Sequence, residues 1–287
     1  LDVSGFSGAV NLQGTNQSDT LIGNDDDNII RLLSDEKTGN GLGIDTVNAG
    51  GGDDTILWNT RQYEQWSDFF SSADNATQTY TIEGDVDGSD GTDELVLSFG
   101  NYVPNSPSLP NNSGSDYWYH SWGNNTWNND GSPDVFSVDL SKISLTDVEV
   151  VSATGYDTNR SWAFPAEFIF SNAQLTDLTS LNGFTAISVI GGGTLDLTHI
   201  ASLTSATWTI GDAEAYTIVG SSFADSIELA SGAMTVNAGD GDDVITMRDR
   251  TVVTDDLDGG GGNDTLRIYG SAVDLSQANL SGIENIS

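Results

Sequence analysis

The 287 residues include 43 Asp and Glu against 8 Lys and Arg, a formal net charge of −35. So little positive charge excludes phosphate-backbone partners such as nucleic acid, and anionic membrane surfaces for the same reason. The lack of cysteine excludes disulfides and thiolate metal sites, and no apolar run approaches the 18 or more residues of a spanning helix.

A compact chain of this length has a radius of gyration of about 19 Å. That much like charge in such a volume repels itself, so something must neutralise it. Most of the acid is Asp, and much of it stands beside Gly and Asn. Short carboxylates in Gly-rich turns suit a hard cation such as Ca²⁺. No N-terminal signal peptide is visible, and a start at Leu1 is the expected look of a piece of a longer protein.

In chain order, a nine-residue frame recurs, with Gly early, Asp sixth and a large apolar residue eighth. Residues 5–13 keep its glycines without the acid. Residues 14–22 carry Asp19 and Leu21, and residues 23–31 carry Asn28 and Ile30. Residues 40–48 and 49–57 follow with Asp45/Val47 and Asp54/Ile56. Over residues 60–72, Tyr63, Trp66 and Phe70 share one face at helical spacing and predict a short helix that covers a side or an end. An isolated unit at 88–96 holds Asp93 and Leu95; with no tandem neighbour its site depends on Asp85 and Asp87.

Residues 85–97 and 138–149 align with 256–268 and 273–284, so residues 98–137 read as an insertion between two adjacent strands. Residues 172–210 repeat more loosely and lack acidic turns. The frame returns at 220–228 (Asp225, Ile227), 229–237 (degenerate), 238–246 (Asp243, Ile245), 250–258 (Asp255, Leu257) and 259–267 (Asp264, Leu266). Each unit is a turn followed by a three-residue β-prone piece. Such a strand needs like neighbours, its eighth residue forming an inward ladder.

The repeat resembles the RTX, or hemolysin-type calcium-binding, nonapeptide G-G-x-G-x-D-x-U-x. Eight units have both the sixth-position Asp and the eighth-position apolar residue. The resemblance implies an all-β fold, a parallel β-solenoid of the β-roll or β-helix kind, with several Ca²⁺ ions between turns two units apart. It also implies loop carbonyls plus Asp19, Asp45, Asp54, Asp93, Asp225, Asp243, Asp255 and Asp264 as ligands, with Asp25, Asp27, Asp90, Asp240 and Asp258 as additional or outer ligands and Asn28 donating its amide oxygen. Members of this family are exported by type I secretion and fold on meeting extracellular calcium.

The expected organisation is an N-terminal solenoid at 1–57, a helical connector at 58–78, a β-rich module at 79–171 decorated by the 98–137 insertion, and a C-terminal solenoid at 172–287. The insertion gathers Tyr117, Trp118, Tyr119, Trp122 and Trp127 among Asn, Ser and Gly. Those rings suit stacking on a glycan or contact with a protein, or simply packing on the flank. Trp58, Trp66, Trp162 and Trp208 fall in strand-like or helical contexts and are expected in the core. His199 is expected to be structural, and His120 lies in the insertion. No nucleophile elbow, zinc pair or phosphate loop is present. The expected role is non-catalytic: a calcium-rigidified structural or adhesive segment of an extracellular bacterial surface protein, in a surface layer or an adhesin. A glycan- or peptide-binding module and the export module of a secreted polysaccharide enzyme or protease are the alternatives.

Overall fold

A computed structural model describes residues 1–15, 17–33, 44–59, 78–98, 136–154, 167–203, 207–210, 214–229, 232–248, 253–270 and 273–287. The helix expected at 60–72, the aromatic insertion with Tyr117, Trp118, Tyr119, Trp122 and Trp127, and also Trp66, Trp162 and His120, lie outside them. Within them the fold is all-β. The one helical element is a 3-10 turn at Asn172–Leu175. No described helix is long and apolar enough to cross a membrane.

All strand pairings among the described residues are parallel. An 11-stranded sheet takes Thr20–Asn24, Asp45–Gly50, Gln78–Asp87, Phe136–Thr146, Glu167–Ser171, Ala186–Ile190, Thr207–Ile210, Ser226–Leu229, Val244–Arg248, Thr265–Tyr269 and Asn285–Ile286, in that order. Between them run the strands of two further sheets. A 7-stranded sheet holds Asn11–Gln13, Ile29–Leu33, Thr55–Asn59, Glu94–Ser98, Val150–Thr154, Ser180–Asn182 and Ser202–Leu203. A 5-stranded sheet holds Gly193–Asp196, Tyr216–Val219, Met234–Asn237, Asp256–Asp258 and Asn279–Ser281. Consecutive nonapeptides therefore fall in different sheets, and units two apart become hydrogen-bonded neighbours.

The register follows the eighth residue. Leu12, Ile30, Ile56, Leu95 and Val151 face one another strand to strand in the 7-stranded sheet. Leu195, Ile218, Val236, Leu257 and Leu280 do so in the 5-stranded sheet. Trp208, Ile227, Ile245 and Leu266 form the corresponding column of the 11-stranded sheet. Except for Leu280 at the margin, these side chains are buried and belong to one hydrophobic cluster that runs along the stacked strands. A slip of one residue would turn each column outward, so burial specifies the register. Each strand is too short to persist alone and is held by its neighbours, one on either side except at the ends of each sheet.

Trp58 and Trp208 are fully buried in this core, as expected. Phe184 packs edge-on against Phe168 and Phe170, with ring centroids 4.7 and 5.7 Å apart. His199 donates from Nε2 to the Leu175 carbonyl at 2.9 Å, a structural contact. Buried Gln174 donates to the Leu140 and Ile143 carbonyls at 2.7 and 2.8 Å and so closes backbone groups that the turn leaves open.

The unit at 88–96 is not isolated. Its strand Glu94–Ser98 pairs with Thr55–Asn59 and Val150–Thr154. Its turn bridges Gly51 to Asp90. The neighbour that is missing in sequence is supplied in space by residues 49–57.

Candidate metal centre

The sixth residue of the frame sits where each turn enters its strand. There its backbone N–H points along the stack, and its side chain reaches back to the level before. In one row Asn28 N donates to Asp54 Oδ1 at 2.6 Å, Asp54 N to Asp93 Oδ1 at 2.8 Å and Asp93 N to Glu149 Oε2 at 2.8 Å. In a second row Asp225 N donates to Asp243 Oδ1 at 2.7 Å, Asp243 N to Asp264 Oδ1 at 2.8 Å and Asp264 N to Glu284 Oε2 at 2.8 Å. The two rows have one plan: an opening residue, two aspartates and a closing glutamate. Asp45 Oδ1 likewise accepts from Asp19 N at 2.9 Å, and Asp255 Oδ1 from Met234 N at 3.0 Å.

These bonds use one carboxylate oxygen. The other, Oδ2, is buried and accepts no hydrogen bond in Asp54, Asp93, Asp243 and Asp264. Those are the two middle residues of each row. All four side chains are at most 1 % exposed. A buried, unpaired polar atom costs about 1–3 kcal/mol, and more when charged. Four of them in matched pairs therefore call for a missing partner.

The surroundings specify its sign. A Cβ placed on Gly88 would lie 2.0 Å from the Asp147 carbonyl oxygen and 2.5 Å from Asp93 Oδ2. One placed on Gly259 would lie 2.0 Å from the Gly282 carbonyl oxygen and 2.8 Å from Asp264 Oδ2. A carboxylate oxygen and a carbonyl oxygen from the next level thus flank each glycine, two acceptors with no donor between them. A cation there would resolve that conflict. Alanine cannot occupy this place without moving the backbone, so Gly88→Ala is expected to cost about 1–3 kcal/mol in urea unfolding.

Burial raises the affinity of these carboxyls for protons. It lifts the pKa of Asp54, Asp93 and Asp243 to about 6, against the bonds from backbone N–H groups that pull the other way. Neighbouring carboxylates add to the rise: Asp93 and Asp27 for Asp54, Glu149 for Asp93, Asp225 and Asp264 for Asp243. Burial also raises Asp45 and Asp225.

Not every sixth-position residue is open. Asp225 Oδ2 accepts from Ser221 N at 2.7 Å and Ser221 Oγ at 3.0 Å. Its Oδ1, at the start of the row, accepts no hydrogen bond. Half-buried Asp19 accepts at Oδ2 from Thr15 N at 2.5 Å and Thr15 Oγ1 at 2.9 Å. The Asn28 amide nitrogen donates to two carbonyls, and its Oδ1 accepts from Val10 N at 3.2 Å. Both ends of the Asn28 amide therefore already have partners within the protein.

The expected outer ligands are more scattered. Asp25, Asp27, Asp90 and Asp240 are exposed, and Asp258 is half-buried. Asp27 Oδ1 accepts from Asp53 N at 3.0 Å, and Asp258 Oδ1 from Gly260 N at 3.2 Å. Asp240 bridges to Gly261 as Asp90 does to Gly51, which keeps the second pair of turns in the arrangement of the first.

Glu149 and Glu284 were missed. They are the sixth residues of 144–152 and 279–287, with Val151 and Ile286 eighth. A frame that admitted Glu would have found them. No group of three or more His, Cys, Asp or Glu converges on one point among the described residues. An ion held here would therefore draw mainly on backbone carbonyls around one or two carboxylates. That set is all hard oxygen, which suits Ca²⁺ with its six to eight oxygen ligands and not a metal that favours nitrogen or sulfur.

No protein-family model, curated protein or solved structure matches the chain.

Proposed function

We propose that the chain is a calcium-folded structural segment of a secreted bacterial surface protein, a closed parallel β-solenoid of the RTX kind without catalytic activity. The observation that carries this reading is the set of four buried, unpartnered carboxylate oxygens in paired Gly/Asp turns. Asp54 and Asp93 would hold ions in the turns at 49–54 and 88–93, and Asp243 and Asp264 in the turns at 238–243 and 259–264. Bound Ca²⁺ would neutralise the carboxylates and tie each turn to the next. The chain's own part is to keep those oxygens in place through the ladder of N–H bonds and to shield them from water. Extracellular modules bind calcium at about 10⁻⁴–10⁻³ M. A site filled at about 100 times its dissociation constant adds about 2.7 kcal/mol. Such a chain stays loose in a low-calcium cytosol and stiffens outside the cell, the behaviour wanted in a surface layer or adhesin.

The test is calorimetric titration of the whole chain with Ca²⁺ and, separately, Mg²⁺. Saturable Ca²⁺ binding at several sites, with weak Mg²⁺ binding, supports the reading. Absence of Ca²⁺ binding at millimolar concentration overturns it.

The raised pKa values give an independent check. Asp54, Asp93 and Asp243 stay protonated up to about pH 6 in the folded chain, but only to about 3.9 when unfolded. Without calcium the folded state binds more protons in between, so these groups favour the fold most at low pH. That contribution is lost as pH rises through about 6. Calcium affinity moves the other way, since the ligands must be ionised. Urea unfolding at pH 5 and pH 7.5 is expected to show the metal-free chain more stable at pH 5 and the calcium-bound gain larger at pH 7.5.

A further inference from the structure

At the opening of the first row, the protein itself fills the place that the middle of the row leaves to an ion. Asn28 is buried, at 1 % exposure. Its Nδ2 donates to the carbonyl of Asn24 in its own turn at 3.0 Å and to that of Ala49 in the next level at 3.1 Å. A Cβ on Gly23 would lie 1.9 Å from the Ala49 oxygen and 2.9 Å from Asn28 Nδ2. This is the same pocket as those beside Gly88 and Gly259, with one change. Where Asp93 and Asp264 present an unpartnered oxygen to a carbonyl, Asn28 presents an N–H donor.

We infer that Asn28 is a built-in substitute for the cation. The level between turns 23–28 and 49–54 is closed by hydrogen bonds and takes no metal, so the metal-dependent part of the first row begins above it. This rests on the calcium reading above. It adds that occupancy is decided level by level by the atom at the sixth side chain. A donor locks the level permanently; a carboxylate oxygen makes it conditional on calcium.

The test is Asn28→Asp in the full chain, with Asn28→Ala as control, each compared with the unsubstituted protein by calcium calorimetry and by thermal melts with and without chelator. Asn28→Asp is expected to bind one more Ca²⁺ per chain and, in chelator, to melt lower than the unsubstituted protein. In saturating calcium that deficit should close. Asn28→Ala supplies neither donor nor ligand, so it should melt lower in both conditions and bind no extra ion. If the unsubstituted chain binds calcium and Asn28→Asp binds the same number, the inference is wrong although the calcium reading stands. It is equally wrong if Asn28→Asp fails to fold in saturating calcium. If the unsubstituted chain binds no calcium, the calcium reading itself falls.

Discussion

In excess chelator at pH 7.5 the chain is expected to be strongly destabilised, melting far lower and yielding to protease much faster, and calcium is expected to reverse both. The magnitudes decide this. Five buried unpaired carboxylate oxygens, Asp225 Oδ1 and the Oδ2 atoms of Asp54, Asp93, Asp243 and Asp264, at about 1–3 kcal/mol each weigh against a total stability of about 5–15 kcal/mol for an ordinary domain. Added to them is the self-repulsion of a net charge of −35. Strands that are mostly five residues or shorter have little local stability with which to resist. Salt separates the two contributions, because at 1 M the screening length is about 3 Å and exposed charges hardly feel one another. The buried oxygens sit out of reach of that screening. If 1 M sodium chloride without calcium restores the stability, diffuse repulsion is the dominant effect and specific sites are not needed. If the melting temperature is unchanged in chelator at low salt, ions are not what holds the turns together.

Much of this arrangement was legible in the sequence because the repeat has two rigid periods. The eighth residue returns at a fixed distance behind each Gly/Asp turn, so Leu21, Ile56, Leu95, Ile245 and Leu266 announced both strand and register. The sixth-position acids announced the rows of carboxylates. What the sequence hid came from distance and from side-chain detail. Unit 88–96 looked alone because its partner lies 39 residues earlier along the Asp54–Asp93 bond. Glu149 and Glu284 escaped because the glycines of their turns have eroded and the acid is one methylene longer. Nor does the repeat show that the 11-stranded sheet alternates first with one partner sheet and then with another, from Gly193–Asp196 onward. Above all, equal-looking aspartates are unequal. Thr15 and Ser221 place a hydroxyl and an N–H on Asp19 and Asp225. Gly50, Gly239 and Gly260, at the same step of their own turns, have no hydroxyl to offer Asp54, Asp243 and Asp264, while Ser89 in the turn of Asp93 gives its N–H and hydroxyl to Asp87 Oδ1 instead. That difference is written in the sequence, but its meaning depends on the turn conformation.

The same contrast gives the second large expected effect. Asp93→Asn and Asp264→Asn change one oxygen to an amide nitrogen without changing shape. The remaining side-chain oxygen can still accept from Asp54 N or Asp243 N, as Asp93 and Asp264 now do at 2.8 Å. The new nitrogen faces the Asp147 or Gly282 carbonyl, the situation of Asn28. Each substitution therefore removes a buried charge and supplies the missing donor. In chelator each variant is expected to be about 1–3 kcal/mol more stable than the unsubstituted chain, from relief of one unsatisfied group. In saturating calcium the order should reverse, because a carboxylate ligand is gone and the affinity of that site drops. Chemical unfolding in both conditions reads the crossing directly. A substitution that destabilised the chain equally with and without calcium would mean that these carboxylates matter for packing alone. The crossing itself is the signature of a charge kept at a cost to the metal-free fold because an ion makes use of it.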